Sequence, residues 1–191
     1  HIFAGLERRL IQRSSDNGVT WQTLQNGLLG TNYSRIACAP NNYLFASGDS
    51  GTFRSTDNGN NWQRVFGSFS RFNSFVFSQN GQVFASESYP GSGVHTSTNN
   101  GLNWSATNLT ASVNCLSISS NDYLYAGTYG IYRSTNAGIN WINYVPSGSV
   151  RAITGSSTSY VYAVIENGPQ GSGIYRSSNY GVDWQYTGRH W

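Results

Sequence analysis

The sequence predicts an all-β protein of the β-propeller type, built from five repeats of about forty residues each. The first observation is an eight-residue pattern, Ser/Thr-x-Asp/Asn-x-Gly-x-x-Trp, that occurs five times in the 191 residues. The second is a composition of 22 Gly, 13 Tyr, 9 Phe and 6 Trp, which suits short strands joined by tight turns. The copies of the pattern, called boxes below, are residues 14–21, 55–62, 97–104, 134–141 and 177–184.

Each repeat contains four short segments with the alternation of a strand, here named a to d in chain order. In the second repeat they are residues 33–39, 43–47, 52–55 and a segment from Trp62 onward. Gly, Asn and Pro separate them, as expected for turns. We therefore predict that each repeat forms one four-stranded antiparallel blade, with the box on the hairpin between strands c and d.

The five repeats are expected to form a single domain over residues 1–191. The chain begins in strand b, at residues 2–5, and ends in strand d, so the first blade is predicted to lack its innermost strand. That strand could come from a longer parent chain or from a neighbouring subunit, or the ring could close with one short blade. The approximate repeat bounds are 1–27, 28–66, 67–108, 109–145 and 146–191.

The residue types of the box explain how it forms a stable turn. Ser, Thr, Asp and Asn side chains bond to nearby backbone N–H groups, Gly adopts a positive φ, and Trp is expected to anchor the hairpin in the core. Asp16 and Asp57 are replaced by Asn99, Asn136 and Asn179 in the later copies. A backbone cap tolerates this exchange and a general acid or base does not, so these acids are predicted to be structural.

Five copies of this pattern resemble the Asp-box, or bacterial neuraminidase repeat. The resemblance implies a β-propeller with four-stranded blades and leaves the activity open. Similar boxes occur in sialidases, in xyloglucan-cleaving glycosidases, in sorting receptors of the sortilin type and in photosystem assembly factors without enzymatic function.

The candidate site lies in the loops opposite the boxes. Because consecutive strands are antiparallel, the b–c loops and the d–a loops share one face, which we call the loop face. Four acids outside the boxes and turns lie two or three residues after an Ala that recurs in strand b, and Tyr129 takes that position in the fourth repeat. Arg71 and Arg151 come to the same face from d–a loops. The predicted ligand-binding residues are Glu7, Arg8, Asp49, Glu87, Tyr129 and Glu166.

Carboxylates, guanidinium groups and aromatic rings on one surface suit a sugar ligand, since the charged groups bond hydroxyls and the rings cover apolar sugar faces. The alternative is that these loop tips are simply polar and solvated. A glycosidase would need two of the carboxylates about 5 to 5.5 Å apart for retention, or about 6.5 to 9.5 Å apart for inversion. Resemblance to sialidases further implies a Tyr nucleophile paired with a Glu, for which Tyr129 with Glu87 or Glu166 could serve. The Phe-Arg-Ile-Pro-like stretch of those enzymes is missing, and we assign no catalytic residue.

Other functions have little support in the sequence. All 11 basic residues are Arg and most are scattered singly, so the net charge of +3 does not indicate nucleic-acid binding. No apolar run predicts membrane insertion, and no spacing of the three His or two Cys predicts a metal site or a cofactor. His95 is expected to pack within its strand, and Cys38 and Cys115 to be buried as small apolar residues.

The sequence thus predicts a non-catalytic, secreted recognition module that binds a glycan or a glycoprotein. The alternatives are a glycoside hydrolase of the sialidase or xyloglucanase kind, and a scaffold for protein interaction or assembly. The incomplete first blade also suggests self-association.

Overall fold

The computed structural model describes residues 1–5, 11–30, 32–67, 71–87 and 93–188, and this part of the chain is all-β, without a helix. Seventeen strands follow one another along it. They are β1 (Ile2–Gly5), β2 (Ile11–Ser14), β3 (Gln22–Leu24), β4 (Tyr33–Cys38), β5 (Leu44–Gly48), β6 (Gly51–Ser55), β7 (Gln63–Phe66), β8 (Ser74–Phe77), β9 (Val83–Ser86), β10 (Val94–Ser97), β11 (Ser105–Ala106), β12 (Cys115–Ile118), β13 (Leu124–Ser134), β14 (Ile142–Gly155), β15 (Val161–Glu166), β16 (Gly173–Ser177) and β17 (Gln185–Tyr186).

The second and third repeats form the predicted four-stranded antiparallel sheets. Strands β4 to β7 pair in chain order in one sheet, and β8 to β11 do so in the next. The first repeat forms a three-stranded sheet of β1, β2 and β3 within the described residues. The number of blades in the complete assembly and the absence of an innermost first strand stay predictions.

The fourth and fifth repeats differ from the prediction because their strands join into one six-stranded sheet, β12 to β17. Strand β13 pairs with β12 through Leu124 to Gly127 and with β14 through its later residues. Strand β14 in turn carries strand d of the fourth repeat and strand a of the fifth, and its last part pairs with β15. The b–c turn of the fourth repeat and the following d–a connection therefore continue the strand geometry instead of leaving the sheet as loops.

The box hairpins are held by the same hydrogen bonds in all five copies. In the second box the backbone N–H of Gly59 donates to Ser55 Oγ at 2.8 Å, and that hydroxyl donates to Asp57 Oδ1 at 2.8 Å. Asp57 Oδ1 also accepts from the backbone N–H of Asn61 at 2.9 Å. In the third box Asn99 accepts the corresponding bonds at 3.0 and 2.9 Å. The prediction that these acids act as backbone caps is confirmed.

Each box Trp is tied to its own hairpin, since its indole N–H donates to the carbonyl of the box Gly at 2.9 to 3.1 Å. The expected burial of Trp in the core is correct for Trp62, which is 6% exposed, and wrong for Trp21, which is 41% exposed. The positive φ extends to the residue before Gly, a position that the sequence pattern leaves open. That residue is Ala137 in the fourth box and Tyr180 in the fifth.

The core lies between consecutive repeats. Phe45 of the second repeat is fully buried against Phe75, Phe77 and Trp104 of the third. Edge-to-face and stacked ring contacts of this kind add to the free energy gained from apolar burial. The expected burial of the two cysteines is only partly correct, because Cys38 is exposed. Burial of Cys115 raises the pKa of its thiol to about 11.

Two box carboxyls have lowered pKa values. Hydrogen bonds from the Thr20 hydroxyl and backbone, with one from Ser14, lower the pKa of Asp16 to about 2. For Asp57, burial acts to raise the pKa, but the bonds from Asn61 and Ser55 together outweigh it and the pKa is lowered. Both groups therefore favour the folded chain when ionised.

We predict that Asp16→Asn combined with Asp57→Asn reduces the acid sensitivity of the protein. A carboxyl whose folded-state pKa is lowered stabilises the fold above its unfolded pKa of about 4, and this contribution is lost as the pH falls toward about 2. Asn keeps the Oδ1 acceptor, as the third box shows. Thermal unfolding followed by circular dichroism should show a smaller decrease of the midpoint between about pH 5 and about pH 2 in the double variant. Parallel curves for the two proteins would contradict this account.

Candidate functional site

The structure separates two faces of the molecule, as predicted. On one side, the a–b turns lie beside the boxes: Asn41 Nδ2 donates to Asn100 Oδ1 of the third box at 2.9 Å, and the Tyr180 backbone N–H of the fifth box donates to the Ser159 carbonyl at 2.8 Å. On the other side, b–c loops contact d–a loops through two ion pairs. Asp49 and Glu166, two of the candidate acids, lie on this second side, the loop face.

Asp49 forms an ion pair with Arg71, an arginine from a d–a loop. The carboxylate lies in the turn between β5 and β6, where its Oδ1 is 3.2 Å from Arg71 Nη1. Its Oδ2 accepts a hydrogen bond of 2.9 Å from Asn32 Nδ2. Both charged side chains are about half exposed, at 56% and 53%. The pair is thus accessible to a ligand and only weakly stabilising by itself.

Glu166 forms the second pair, with Arg151. Arg151 Nη2 lies 2.6 Å from Glu166 Oε2, and both side chains are about half exposed. The strand register shifts between Val150 and Ala152, so Arg151 is an extra residue at a bulge. A bulge re-aims the side chain of the inserted residue, here towards the carboxylate. The hydrogen bond from Arg151 lowers the pKa of Glu166, which keeps this side chain ionised at neutral pH.

Tyr129 belongs to the same neighbourhood. It pairs with Ser149 across β13 and β14, and Ser149 pairs with Glu166 across β14 and β15. Directly opposed residues of an antiparallel sheet place their side chains on the same face, so the three form one cross-strand row. Tyr129 is 72% exposed. The fold therefore places an exposed ring, a carboxylate and a guanidinium group within one short stretch of the loop face.

Glu87 is placed differently from the other predicted acids. It is 5% exposed, and its Oε2 lies 3.7 Å from His95 Nε2, whose ring packs on Phe66 and Phe72. Glu87 follows the recurring Ala by two residues, whereas Asp49 and Glu166 follow it by three. Because side chains alternate along a strand, that single step turns Glu87 towards the interior. The packing role predicted for His95 is confirmed by these contacts.

The remaining two predicted residues, Glu7 and Arg8, lie outside the described residues. Sequence reasoning placed Arg71 and Arg151 on the correct face but did not identify their partners, and it missed Asn32 and Ser149. The signal for Asn32 and Ser149 is weak, since they become neighbours of the acids only through the strand register. Tyr129 and Glu166 share a row although they belong to different repeats.

A groove of about 700 Å³ lies on the opposite, box side, between the second and third repeats. Tyr43, Phe45 and Phe77 provide aromatic surface in it, and Asn80 and Gln79 line its rim. This volume is within the range of small-molecule sites. The groove was not predicted, since its residues belong to turns that the sequence identifies only as structural.

The described part of the chain offers no cluster of three or more His, Cys, Asp or Glu side chains that could hold a metal ion. Among the same residues there is also no helix with the length and hydropathy of a membrane span. The loop face offers carboxylate oxygens that accept hydrogen bonds, Arg side chains that donate them, and the flat apolar ring of Tyr129.

The second and third repeats form four-stranded antiparallel sheets, and these sheets share an apolar core. The loop face lies on one side of the sheets and the boxes lie on the other. This architecture defines a β-propeller. A family model described as the DUF6242 β-propeller domain matches residues 3–116. The chain belongs to this family. No curated protein matches it in sequence.

Solved structures support the same fold. An ancestral GH74 enzyme superposes with a TM-score of 0.79 at 20% identity, covering 96% of this chain and 29% of that one. The GH74 xyloglucanase from Xanthomonas campestris gives a TM-score of 0.71 at 18% identity, with 92% and 33% covered. YCF48 bound to D1 peptide gives a TM-score of 0.70 at 18% identity, with 96% and 62% covered. The chain thus spans about a third or less of the two GH74 proteins, and the likeness shows the fold alone.

We predict that Glu87→Ala destabilises the fold by about 1–3 kcal/mol, because it removes a buried side chain and its ion-pair contact with the half-buried His95. Asp49→Ala should change the free energy of unfolding by less than about 1 kcal/mol, since the Asp49–Arg71 pair is exposed. Urea unfolding monitored by Trp fluorescence measures both values. Equal effects of the two substitutions would show that the difference in burial does not matter.

Proposed function

We propose that the protein is a non-catalytic recognition module that binds carbohydrate through the loop face. The observation that carries this proposal is the exposed ring of Tyr129 in one cross-strand row with Glu166, whose carboxylate is joined to Arg151. A sugar ring can stack on Tyr129 while its hydroxyls bond the oxygens of Glu166 and the remaining N–H groups of Arg151. Asp49 with Arg71 offers a second contact of the same chemistry.

The charge of the site favours a neutral sugar. Glu166 is ionised, and the guanidinium group nearest to it is already engaged by that carboxylate. A sialic acid would bring a further carboxylate next to Glu166, where like charges repel. Hydroxyl groups of a neutral glycan, in contrast, can donate to the carboxylate and accept from Arg151.

Hydrolysis is the alternative that the GH74 neighbours suggest. A retaining or inverting glycosidase needs a carboxylic acid that is protonated at working pH and a second carboxylate across the scissile bond. The lowered pKa of Glu166 suits a hydrogen-bond acceptor better than a general acid. Release of a chromophore from xyloglucan-type or sialyl reporters by the purified protein would overturn the non-catalytic proposal.

A scaffold that binds a polypeptide is the second alternative, favoured by the likeness to YCF48 bound to D1 peptide. A peptide ligand would bind without any competition from free oligosaccharides, which separates this alternative from glycan recognition.

A composition with no Lys and many Asn, Ser, Thr and Gly residues fits an exported protein, and we include an extracellular location in the proposal.

The proposal predicts the outcome of a glycan array that carries neutral and sialylated oligosaccharides. The protein should bind neutral glycans, and Tyr129→Ala should weaken binding about tenfold or more, because a stacking ring contributes much of the affinity at such sites. Glu166→Gln should weaken it less, since an amide keeps one acceptor oxygen. Titration calorimetry with the best array ligand measures the change.

Asn80→Ala is the matched control, because Asn80 lines the groove on the box side and not the loop face. Full binding by this variant, together with the loss in Tyr129→Ala, supports the loop face as the site. Loss of binding in Asn80→Ala with full binding in Tyr129→Ala would move the site to the groove.

A further inference from the structure

Consecutive repeats are joined by one recurrent contact, in which the box of a repeat packs on the repeat before it. A Cβ atom added to the box Gly would run into a side chain of the preceding repeat in four of the five boxes. These contacts are Gly59 with Leu24, Gly101 with Phe45, Gly138 with Thr107 and Gly181 with Tyr125. The four contacts, called junctions below, repeat one construction along the chain.

An arginine fastens three of the four junctions. The Arg that stands directly before the box Ser donates from Nη1 to the backbone carbonyl of the residue before Gly in the next box. Arg13 bonds the carbonyl of Asn58 at 2.7 Å, Arg54 that of Asn100 at 3.0 Å, and Arg133 that of Tyr180 at 2.7 Å. A charge-assisted bond of this kind is stronger than one between neutral groups.

The three guanidinium groups are held by neutral partners. Arg13 also donates to the side-chain oxygens of Asn60 and Gln22. Arg54 lies 5.4 Å from the ring centre of Tyr43, and Arg133 lies 4.6 Å from that of Tyr144. Among the described residues, none of the three pairs with a carboxylate. Carbonyl and amide oxygens with a ring face therefore suffice to hold a guanidinium group at a junction.

The junction between the third and fourth repeats lacks this arginine. Thr96 stands at the Arg position, and Gln82 stands where the second repeat has Tyr43. The carbonyl of Ala137 corresponds to the three bonded carbonyls, and it accepts no hydrogen bond from the described part of the chain. Thr96 Oγ1 is buried and has no hydrogen-bond partner among the same residues. Two acceptors are thus unused at the one junction of the four where the arginine is replaced.

A pocket of about 190 Å³ lies at this junction. Its lining includes Thr96 and Asn108 from the third repeat and residues 137–139 from the fourth. Asn108 donates its amide N–H to the Ile139 carbonyl at 2.8 Å, so its Oδ1 remains an acceptor. No charged residue of the described chain lines the pocket. The pocket therefore combines oxygen acceptors from both repeats without a cation of its own.

We propose that this pocket binds a guanidinium group from outside the chain, which donates to the Ala137 carbonyl and to Thr96 Oγ1. The ligand takes the place that Arg13, Arg54 and Arg133 fill at the other junctions. A guanidinium group fits because it has five N–H donors and no acceptor, and the pocket presents acceptors. The volume is below the range of drug-sized ligand sites, so the pocket admits the end of one side chain or a small guanidinium compound.

This site is separate from the glycan site proposed above. It lies at a box, on the side of the molecule opposite Tyr129 and Glu166, so either proposal can fail without the other. The third and fourth repeats both have a repeat on each side. The unfilled position follows from the replacement of Arg by Thr96 within the chain.

The test is an NMR titration of the isotope-labelled full chain with N-acetylarginine amide. The backbone amide signals of Thr96, Asn108 and Gly138 should shift and saturate. The lysine counterpart should bind about tenfold more weakly, because an ammonium group lacks the planar fork of donors. The citrulline counterpart, which has the same shape without the charge, should bind about tenfold more weakly as well.

Thr96→Arg supplies the missing side chain from within the protein. This variant should no longer bind N-acetylarginine amide, and its midpoint of thermal unfolding should rise by about 2–4 °C because the fourth junction is now fastened. Thr56→Arg is the matched control. Thr56 is exposed in the second box, so this variant adds the same charge away from the pocket and should bind like the wild-type protein.

Arg54→Thr is the reciprocal variant, because it removes the arginine from a fastened junction. It should gain a second site at the Asn100 carbonyl, with ligand-induced shifts at Gly101 that the wild-type protein does not show. Circular dichroism checks that each variant is folded.

A short peptide with one central arginine distinguishes two sources of the guanidinium group. Tighter binding of the peptide than of N-acetylarginine amide identifies a polypeptide ligand, and equal binding identifies a small guanidinium compound. The proposal is wrong if no pocket signal shifts with N-acetylarginine amide, if Thr96→Arg binds it like the wild-type protein, or if the lysine counterpart binds equally well.

Discussion

The structure depends on the hydrogen bond between the backbone N–H of the box Gly and the hydroxyl of the box Ser. This bond, with the cap from Asp or Asn, holds two successive residues at positive φ and turns the edge of the hairpin towards the preceding repeat. Only a residue without Cβ fits at that edge, because Leu24, Phe45 or Tyr125 already occupies the space. A local turn thereby sets the distance between sheets, and the apolar core forms in the remaining gap.

The repeat architecture could be predicted from the sequence because the boxes fix the register of every strand around them. The strands of the second repeat were expected at residues 33–39, 43–47 and 52–55 and lie at Tyr33–Cys38, Leu44–Gly48 and Gly51–Ser55. The joining of β13 and β14 into one six-stranded sheet could not be foreseen, since it depends on how a turn around Gly130 and the following connection extend the ladders. The sequence also does not predict the positive φ of Ala137 and Tyr180, because the hairpin imposes this conformation on any residue at that position.

The sequence predicts the face of the molecule on which the candidate site lies. It does not predict which charged residues form ion pairs there. Antiparallel connectivity alone puts Asp49 and Arg71 on the same side of the molecule, but their ion pair depends on loop paths that sequence reasoning does not provide. The inward position of Glu87 could have been recognised, because one residue of offset from the recurring Ala reverses the direction of the side chain. The row of Tyr129, Ser149 and Glu166 joins three strands of two repeats and emerges only from the observed register.

Arg13, Arg54 and Arg133, each of which stands directly before a box Ser, donate from Nη1 to the backbone carbonyl of the residue before Gly in the next box. The carbonyl is present whatever residue precedes Gly, and it is Asn in two of the fastened boxes and Tyr in the third. The units are therefore interchangeable at their contacts, and a duplicated or deleted repeat would meet neighbours that it already fits. Such a chain can change its length by whole units in the course of evolution while its loop face diverges freely for recognition.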